Sequence, residues 1–401
     1  MSLLEGYEGY EGYEGYEGYE GYEGYEGYEG YGGRRVSPGA LITHRDGIVG
    51  TWATGVNGVA WRVAKRGIGD PDNLRLWDPR IRRFVFESDL LSRLCFGVDQ
   101  AGNQYATLWA LEVTTDATGT TPPSGTPTST APGSTATASN WTPFVRMQAP
   151  DMPVLQDQLN FVAGYADLRA DRAQEILAQV APQYAFWASV VPLYPARHPR
   201  TLEVVDLVLR LAKYAEMNFK NAFAVLRPNE LSPQIQPMIQ TPVHASFPSG
   251  HSTECFAVAR VLYELLIEAG AKDEAKQQLR EQLLRQAARM AINRTVAGLH
   301  YPVDSLAGQL LGLSVAEYIL ARFGAGANPT TNVEAWEFKG PALPALTNFS
   351  GNELYNIATE KRQENAYANR VDDGNGAALN LTVAQSSRLN WLWGQARDEW
   401  N

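Results

Sequence analysis

The sequence contains little cysteine and little histidine: two cysteines and five histidines in 401 residues. Cys95 and Cys255 stand far apart and form neither a C-x-x-C redox pair nor a metal-binding pair. We therefore predict that both are buried free thiols. A chain of this length can bury a sufficient core without crosslinks, so the composition favours a conventional globular protein.

Long apolar runs are also missing. The best candidate, residues 302–323, is interrupted by Asp304, Gln309 and Glu317, so no transmembrane segment is predicted. The N-terminus lacks the basic and apolar regions of a signal peptide, which predicts a cytoplasmic or non-classically exported protein. The formal charge is −10, but nine of the acids lie in one repeat and the remainder carries −1. Nothing therefore indicates a nucleic-acid partner.

Four segments follow from the composition. Residues 1–33 hold nine copies of Glu-Gly-Tyr, a period of three that fits neither helix nor strand, so a disordered or extended tail is predicted. A threefold winding would instead align the tyrosines for self-association into a homo-oligomer. Residues 34–113 alternate as in "RRFVFE" and "YATLWALEV" and predict strands. Residues 114–140 read as a Thr/Pro/Ser-rich linker or loop, and residues 141–401 as a helical catalytic domain.

The last segment has apolar residues at helical spacing. This predicts a mainly α protein, a helical bundle with a small strand-containing N-terminal segment at its side. The predicted helices cover residues 152–182, 201–227, 251–268, 273–293, 302–323 and 383–397.

Two polar groups lie within this helical pattern. Lys220 and Arg227 are seven residues apart, a spacing that places both cations on one face of a helix. Ser249, Gly250 and His251 follow Pro248 at the predicted start of the next helix, where unpaired backbone N–H groups favour an anion. A histidine at that point can also transfer a proton near neutral pH.

A third group is "INRTVAGLHYPVDSLAG". Gly298 is expected to end one helix, and Pro302 to begin the next. Arg294 adds a cation. His300 and Asp304 are four residues apart, so their side chains can meet. A carboxylate that accepts the proton of one imidazole nitrogen leaves the other nitrogen as a nucleophile or ligand.

Along the chain, the three groups stand in the order K-x6-R-P, P-S-G-H and R-x5-H-x3-D. Together they resemble the signature of one superfamily. It joins type 2 phosphatidic acid phosphatases (PAP2), soluble bacterial acid phosphatases and vanadium-dependent haloperoxidases. The resemblance is close over residues 220–304 and looser over 152–325. It implies an α-helical bundle with the site between helices.

The resemblance also implies roles. Phosphate or vanadate would be bound by Lys220, Arg227, Ser249, Gly250 and Arg294. His300 would be the axial nitrogen, which attacks phosphorus in a phosphatase and binds vanadium in a haloperoxidase. Asp304 would orient His300, and His251 would be the acid–base group on the opposite side.

His244 lies seven residues before His251, and the haloperoxidases similar in this stretch carry a histidine there. We therefore predict a vanadium-dependent haloperoxidase-like enzyme with vanadate as cofactor, which uses hydrogen peroxide to oxidise a halide, bromide or iodide before chloride. The first alternative is an acid phosphatase that hydrolyses phosphate monoesters through a phosphohistidine without a cofactor, as "GLHYPVDSLAG" suggests. The second is a self-assembling structural protein with a vestigial pocket.

Overall fold

The structure is a computed structural model that describes residues 67, 69–98, 105–111, 141–180, 183–326 and 332–401. The Glu-Gly-Tyr repeat and the Thr/Pro/Ser-rich segment lie outside these residues. The chain divides into two compact units, Met1–Leu76 and Trp77–Asn401. In the first, a short 3₁₀ helix, Pro71–Leu74, is capped by the Asp70 carboxylate. The segment boundaries proposed above stay predictions.

Helices dominate the second unit, and they confirm the mainly α prediction. In chain order they are α1 (Pro79–Leu91), α2 (Met152–Tyr165), α3 (Arg169–Ala178), α4 (Tyr184–Ala188), α5 (Pro199–Phe223), α6 (Pro228–Leu231), α7 (Gly250–Glu268), α8 (Asp273–Val296), α9 (Pro302–Phe323) and α10 (Ser387–Asp398). Proline opens several of them, since its fixed φ suits the first turn and its missing N–H has no helical partner there.

Helix α7 lies at the centre of the bundle, in contact with α5, α8 and α9. Two glycines of α9 permit the closest of these contacts. A Cβ on Gly308 would lie 2.6 Å from the Ser249 carbonyl oxygen, and one on Gly312 would lie 2.3 Å from the Thr253 carbonyl oxygen. The backbones of α7 and α9 are therefore packed without room for a side chain.

A five-stranded sheet accompanies the bundle. In the order in which they pair, its strands are β1 (Leu94–Val98), β2 (Ala106–Leu111), β3 (Trp141–Gln148), β5 (Trp336–Lys339) and β8 (Ala368–Arg370). Only the β3–β5 pair is parallel. Two smaller sheets pair β4 (Asn332–Glu334) with β9 (Asn380–Thr382) and β6 (Tyr355–Asn356) with β7 (Lys361–Arg362).

Several local predictions were wrong. "RRFVFE" lies in α1 and is not a strand, because Pro79 and the Asp78 carboxylate form a helix start. The single helix predicted over residues 152–182 is divided by the 3₁₀ turn Ala166–Leu168. The helix predicted over residues 201–227 begins earlier, at Pro199, and ends at Phe223. The sheet also recruits strands from beyond residue 332, which were not predicted.

The two cysteines are free, as predicted. Cys255 is fully buried, and burial raises the pKa of its thiol well above 9. Cys95 is only partly buried, so the prediction of a buried thiol is wrong for this residue. Among the described residues, none of the helices is both long enough and apolar enough to span a membrane.

Candidate active site

The candidate site is built where four helix ends meet. The end of α5 supplies Lys220, the turn before α7 supplies Ser249, the end of α8 supplies Arg294, and the residues before α9 supply His300. All four side chains are at most 5% exposed. Polar groups this deeply buried require partners, so their hydrogen bonds define the site.

Asp304 holds His300 in place. Its Oδ2 lies 2.9 Å from His300 Nδ1, and it also accepts hydrogen bonds from the Tyr301 N–H at 3.1 Å and from the Ser246 hydroxyl. The predicted contact between His300 and Asp304 is therefore present: His300 precedes α9, and Asp304 lies in its first turn. Nδ1 is engaged by the carboxylate, which leaves Nε2 for a reacting atom.

Lys220 is anchored on the turn before α7. Its Nζ donates to the carbonyl oxygens of Ala245 and Ser246, both at 3.0 Å. The ammonium is 2% exposed, and burial lowers its pKa to about 7. Lys220 therefore loses its positive charge near neutral pH.

Arg227 reaches the site from outside the helix. Ala224 adopts a left-handed conformation (φ 47°) that ends α5 at Phe223, and Arg227 is extended because Pro228 follows it. The predicted shared helix with Lys220 is therefore wrong. The Arg227 side chain nevertheless donates to the Leu299 carbonyl oxygen at 3.0 Å and to the His244 carbonyl oxygen at 2.9 Å.

His244 lies beside this guanidinium. Its Nδ1 is 3.1 Å from Arg227 Nη2, and the side chain is partly exposed. Burial, reinforced by Lys220 and Arg227, lowers the pKa of His244 to about 3. The imidazole is therefore neutral at pH 7, and Nδ1 can accept a hydrogen bond from the guanidinium.

Arg294 and His251 share one anchor that the motifs did not predict. Gln179, at the end of α3, accepts from Arg294 Nη2 at 2.9 Å through Oε1, and its carbonyl oxygen lies 3.0 Å from His251 Nε2. Burial lowers the pKa of Arg294 to about 10, and burial together with Arg294 lowers that of His251 to about 4. Nothing in the sequence indicated a role for Gln179, because this residue lies far from the motifs along the chain.

Ser249 is the N-cap residue of α7, and its hydroxyl accepts from the Ser252 N–H at 3.4 Å. Its own N–H donates to the Asp304 carbonyl oxygen at 2.9 Å. The Ser249 N–H is therefore already engaged within the protein, and the prediction that it binds an anion is wrong. The N–H groups of Gly250 and His251 lie in the first turn of α7, where the helix dipole favours negative charge.

Residues 205–325 match the family model described as the PAP2 superfamily. The predicted resemblance is therefore confirmed for this part of the chain. All nine predicted site residues lie inside this PAP2 region.

Other comparisons are limited. A transmembrane PAP2-type phosphatidylglycerolphosphate phosphatase from Bacillus subtilis resembles this chain at 18% identity and a TM-score of 0.26, over 41% of this chain and 79% of the other. No curated protein sequence matches this chain.

The donor set of the PAP2 region suits a tetrahedral oxyanion. It combines two guanidinium groups, an ammonium, helical N–H groups and one oriented imidazole. Among the residues that the structure describes, no cluster of three or more His, Cys, Asp or Glu side chains could hold a metal ion. Phosphate fits this set, and so does vanadate, which requires a single nitrogen ligand in addition to the oxyanion contacts.

Proposed function

We propose that the protein is a phosphatase that hydrolyses phosphate monoesters through a phosphorylated His300. The carrying observation is the 2.9 Å contact between His300 Nδ1 and Asp304 Oδ2. It fixes the tautomer with Nε2 deprotonated, which is the form a nucleophile needs. The contact supports a phosphohistidine, and the same Nε2 could instead bind vanadium, so halide oxidation, which His244 favours, is kept as the second candidate.

His300 is neutral at physiological pH. Burial lowers its pKa well below 6.5, and the nearby Arg227 and Lys220 charges act in the same direction. The imidazole can therefore attack phosphorus through Nε2 while Asp304 stabilises the positive charge that develops on the ring. The bond from phosphorus to the ester oxygen breaks as the nitrogen–phosphorus bond forms.

Three cations stabilise the transition state in this proposal. Arg227 and Arg294 are both 1% exposed, and Lys220 adds its ammonium. Charges in a site shielded from water act strongly on the five-coordinate phosphorus oxygens. A bound phosphate also favours the protonated form of His251, which can then donate a proton to the leaving alcohol.

After the alcohol leaves, neutral His251 accepts a proton from water. The resulting hydroxide attacks phosphorus, breaks the nitrogen–phosphorus bond and releases inorganic phosphate, which restores neutral His300. The same residue thus serves as acid in the first step and as base in the second.

A vanadium-dependent haloperoxidase is the second candidate function. His244 favours it, because its partly exposed ring lies beside Arg227 at the same site. Vanadate bound here would supply Lewis-acid activation of hydrogen peroxide toward a halide. His300 Nε2 would be its ligand, and Lys220, Arg227 and Arg294 would hold its oxygens.

One pair of assays separates the two functions. Purified protein is assayed for p-nitrophenyl phosphate hydrolysis without vanadate, and for bromination with vanadate and hydrogen peroxide. Hydrolysis without bromination is the expected result. Bromination in the absence of any hydrolysis would instead establish the haloperoxidase. His244→Ala is then expected to leave hydrolysis within about threefold of the original rate, because it removes no group from the phosphoryl path.

The His300→Ala variant tests the phosphohistidine directly. We expect turnover to fall by at least about 10⁴-fold, because no other side chain replaces the nucleophile. With ³²P-labelled substrate, alkaline denaturation during turnover should leave label on the original protein and none on the variant. Label retained on His300→Ala would contradict the assignment.

A further inference from the structure

Glu216 is a fully buried carboxyl that belongs to none of the motifs. It lies in α5, one helical turn before Lys220, and is 0% exposed. Both of its oxygens face Gly250, since an added Cβ there would lie 2.6 Å from Oε1 and 2.7 Å from Oε2. Gly250 is the first residue of α7. The carboxyl is therefore placed against the helix start that would hold the oxyanion.

The partners of Glu216 are too few for an ionised carboxylate. Among the described residues, Glu216 has one donor, Lys213 Nζ at 3.1 Å from Oε1, and its Oε2 has none. The same ammonium lies 2.8 Å from Glu254 Oε1, and Glu254 Oε2 also accepts from Gln183 Nε2 at 3.1 Å. Two buried carboxyls share one cation here, and Glu216 is the one with fewer donors. Glu216 is accordingly the carboxyl that retains a proton.

The charges around Glu216 come from both packed helices. Burial raises its pKa, and Glu254 of α7 adds to the effect, while Lys213 and Lys220 of α5 oppose it. Cys255 of α7 also lies nearby, but its own pKa is raised well above 9, so the thiol adds no charge at neutral pH. Lys213 is 29% exposed and connects the buried carboxyl to solvent.

This inference rests on the oxyanion site of the proposed function. We propose that Glu216 makes oxyanion binding depend on a proton: the site accepts a tetrahedral dianion when this carboxyl is protonated, and rejects the dianion when it ionises. The proton comes from solvent, and no covalent bond changes. The physical cause is repulsion between two negative charges: the buried carboxylate, which lies against the first residue of α7, and the anion bound at the same helix start.

Titration of anion binding against pH tests this proposal. Molybdate is a suitable probe, since it remains a tetrahedral dianion from about pH 6 to pH 9 and does not itself titrate there. Its dissociation constant, measured by calorimetry, should rise with pH in the original protein as Glu216 ionises and as Lys220 loses its charge. Glu216→Gln should bind molybdate about tenfold more tightly at pH 8.5, and the slope of log Kd against pH should fall by up to one.

The matched control is Glu203→Gln on the same helix. Glu203 is a largely buried carboxyl, 10% exposed, which contacts Arg82 and Arg200 and not Gly250. This variant should keep the original slope. Glu216→Ala is a second neutral variant, and it should lower the slope of log Kd against pH as Glu216→Gln does. If one of the two variants fails to fold, the other is sufficient for the test.

Two negative outcomes are distinguishable. Equal slopes in the original protein and in a folded neutral variant at Glu216 would overturn the role of this carboxyl. Absence of molybdate binding by the original protein, at every pH, would overturn the oxyanion site itself and the inference with it.

Discussion

At the scale of single residues, Asp304 connects His300 to the starts of two helices. Its side chain binds His300 and the Tyr301 N–H, and its backbone oxygen accepts from Ser249, the N-cap residue of α7. Asp304 is completely buried, and burial raises its pKa to about 6 despite the hydrogen bond from Ser246. One residue therefore sets the orientation of the proposed nucleophile and the position of the turn that is proposed to bind the anion.

The pKa values of Asp304 and Lys220 predict a narrow pH optimum for hydrolysis. Asp304 acts as a carboxylate, so kcat/KM should fall as the pH decreases through about 6. Lys220 acts as a cation, so kcat/KM should fall as the pH increases through about 7. A pH series of p-nitrophenyl phosphate hydrolysis measures both limbs. Asp304→Asn, although slow, should lack the acidic limb; a flat profile in the original protein would refute both assignments.

Gln179 allows a second prediction at this scale. It holds Arg294 with a neutral oxygen, so the full charge of the guanidinium is available to a substrate anion. Gln179→Glu should place a carboxylate on Arg294 and raise the inhibition constant of inorganic phosphate about tenfold. Gln179→Leu, which removes this contact and the hydrogen bonds of Gln179 with Asn293 and Glu175, should lower kcat more than it raises KM. An unchanged inhibition constant in a correctly folded Gln179→Glu variant would contradict this.

At the scale of elements, helix identity was easier to predict than helix ends. Residues 302–323 were predicted as a helix and form α9 with those bounds, because Pro302 starts it and Gly324 (φ 69°) ends it. The end of α5 was missed, since Ala224 takes a left-handed conformation that alanine rarely adopts. The propensity of the chain there favours helix, and the contacts of Arg227 override it.

Two glycine substitutions, one in the contact between α7 and α9 and one outside it, should change the free energy of unfolding in opposite directions. Gly312→Ala should lower the free energy of unfolding by about 1–3 kcal/mol, because the Cβ would lie 2.3 Å from the Thr253 carbonyl oxygen. Gly394→Ala in α10 meets nothing within 4 Å. It should raise the free energy of unfolding by about 0.5–1 kcal/mol, through better helix propensity. Denaturant unfolding measures both, and a neutral Gly312→Ala would show that the helices can separate at this point.

At the scale of the whole molecule, the sheet joins distant parts of the chain. The parallel β3–β5 pair brings residues near 145 beside residues near 337, and β8 extends the sheet further. Alternating patterns predicted β2 but could not indicate its partners, because strand pairing between distant segments leaves no local signal. The short strands after residue 332 were missed for the same reason.

The Glu-Gly-Tyr repeat gives the prediction that belongs to this scale. If its tyrosines align for stacking, the full chain should sediment as a larger species than a chain that begins at Arg34. Both should hydrolyse p-nitrophenyl phosphate equally, because all proposed site residues lie within the PAP2 region. Equal sedimentation at matched concentrations would remove the repeat from any assembly role.

The sequence by itself indicated the chemical type of the proposed site. Lys220, Arg227, Arg294 and the histidines stand at spacings that predicted an oxyanion pocket on helices, and the match over residues 205–325 confirms the resemblance for that part of the chain. Spacing is sufficient there because helix periodicity and turn chemistry are local.

Only the tertiary structure decided which groups meet. It placed Gln179 between Arg294 and His251, engaged His244 with Arg227, and set the unmatched carboxyl of Glu216 against Gly250. These contacts join residues from different helices. They depend on how the helices pack around α7, and local sequence patterns do not encode that packing.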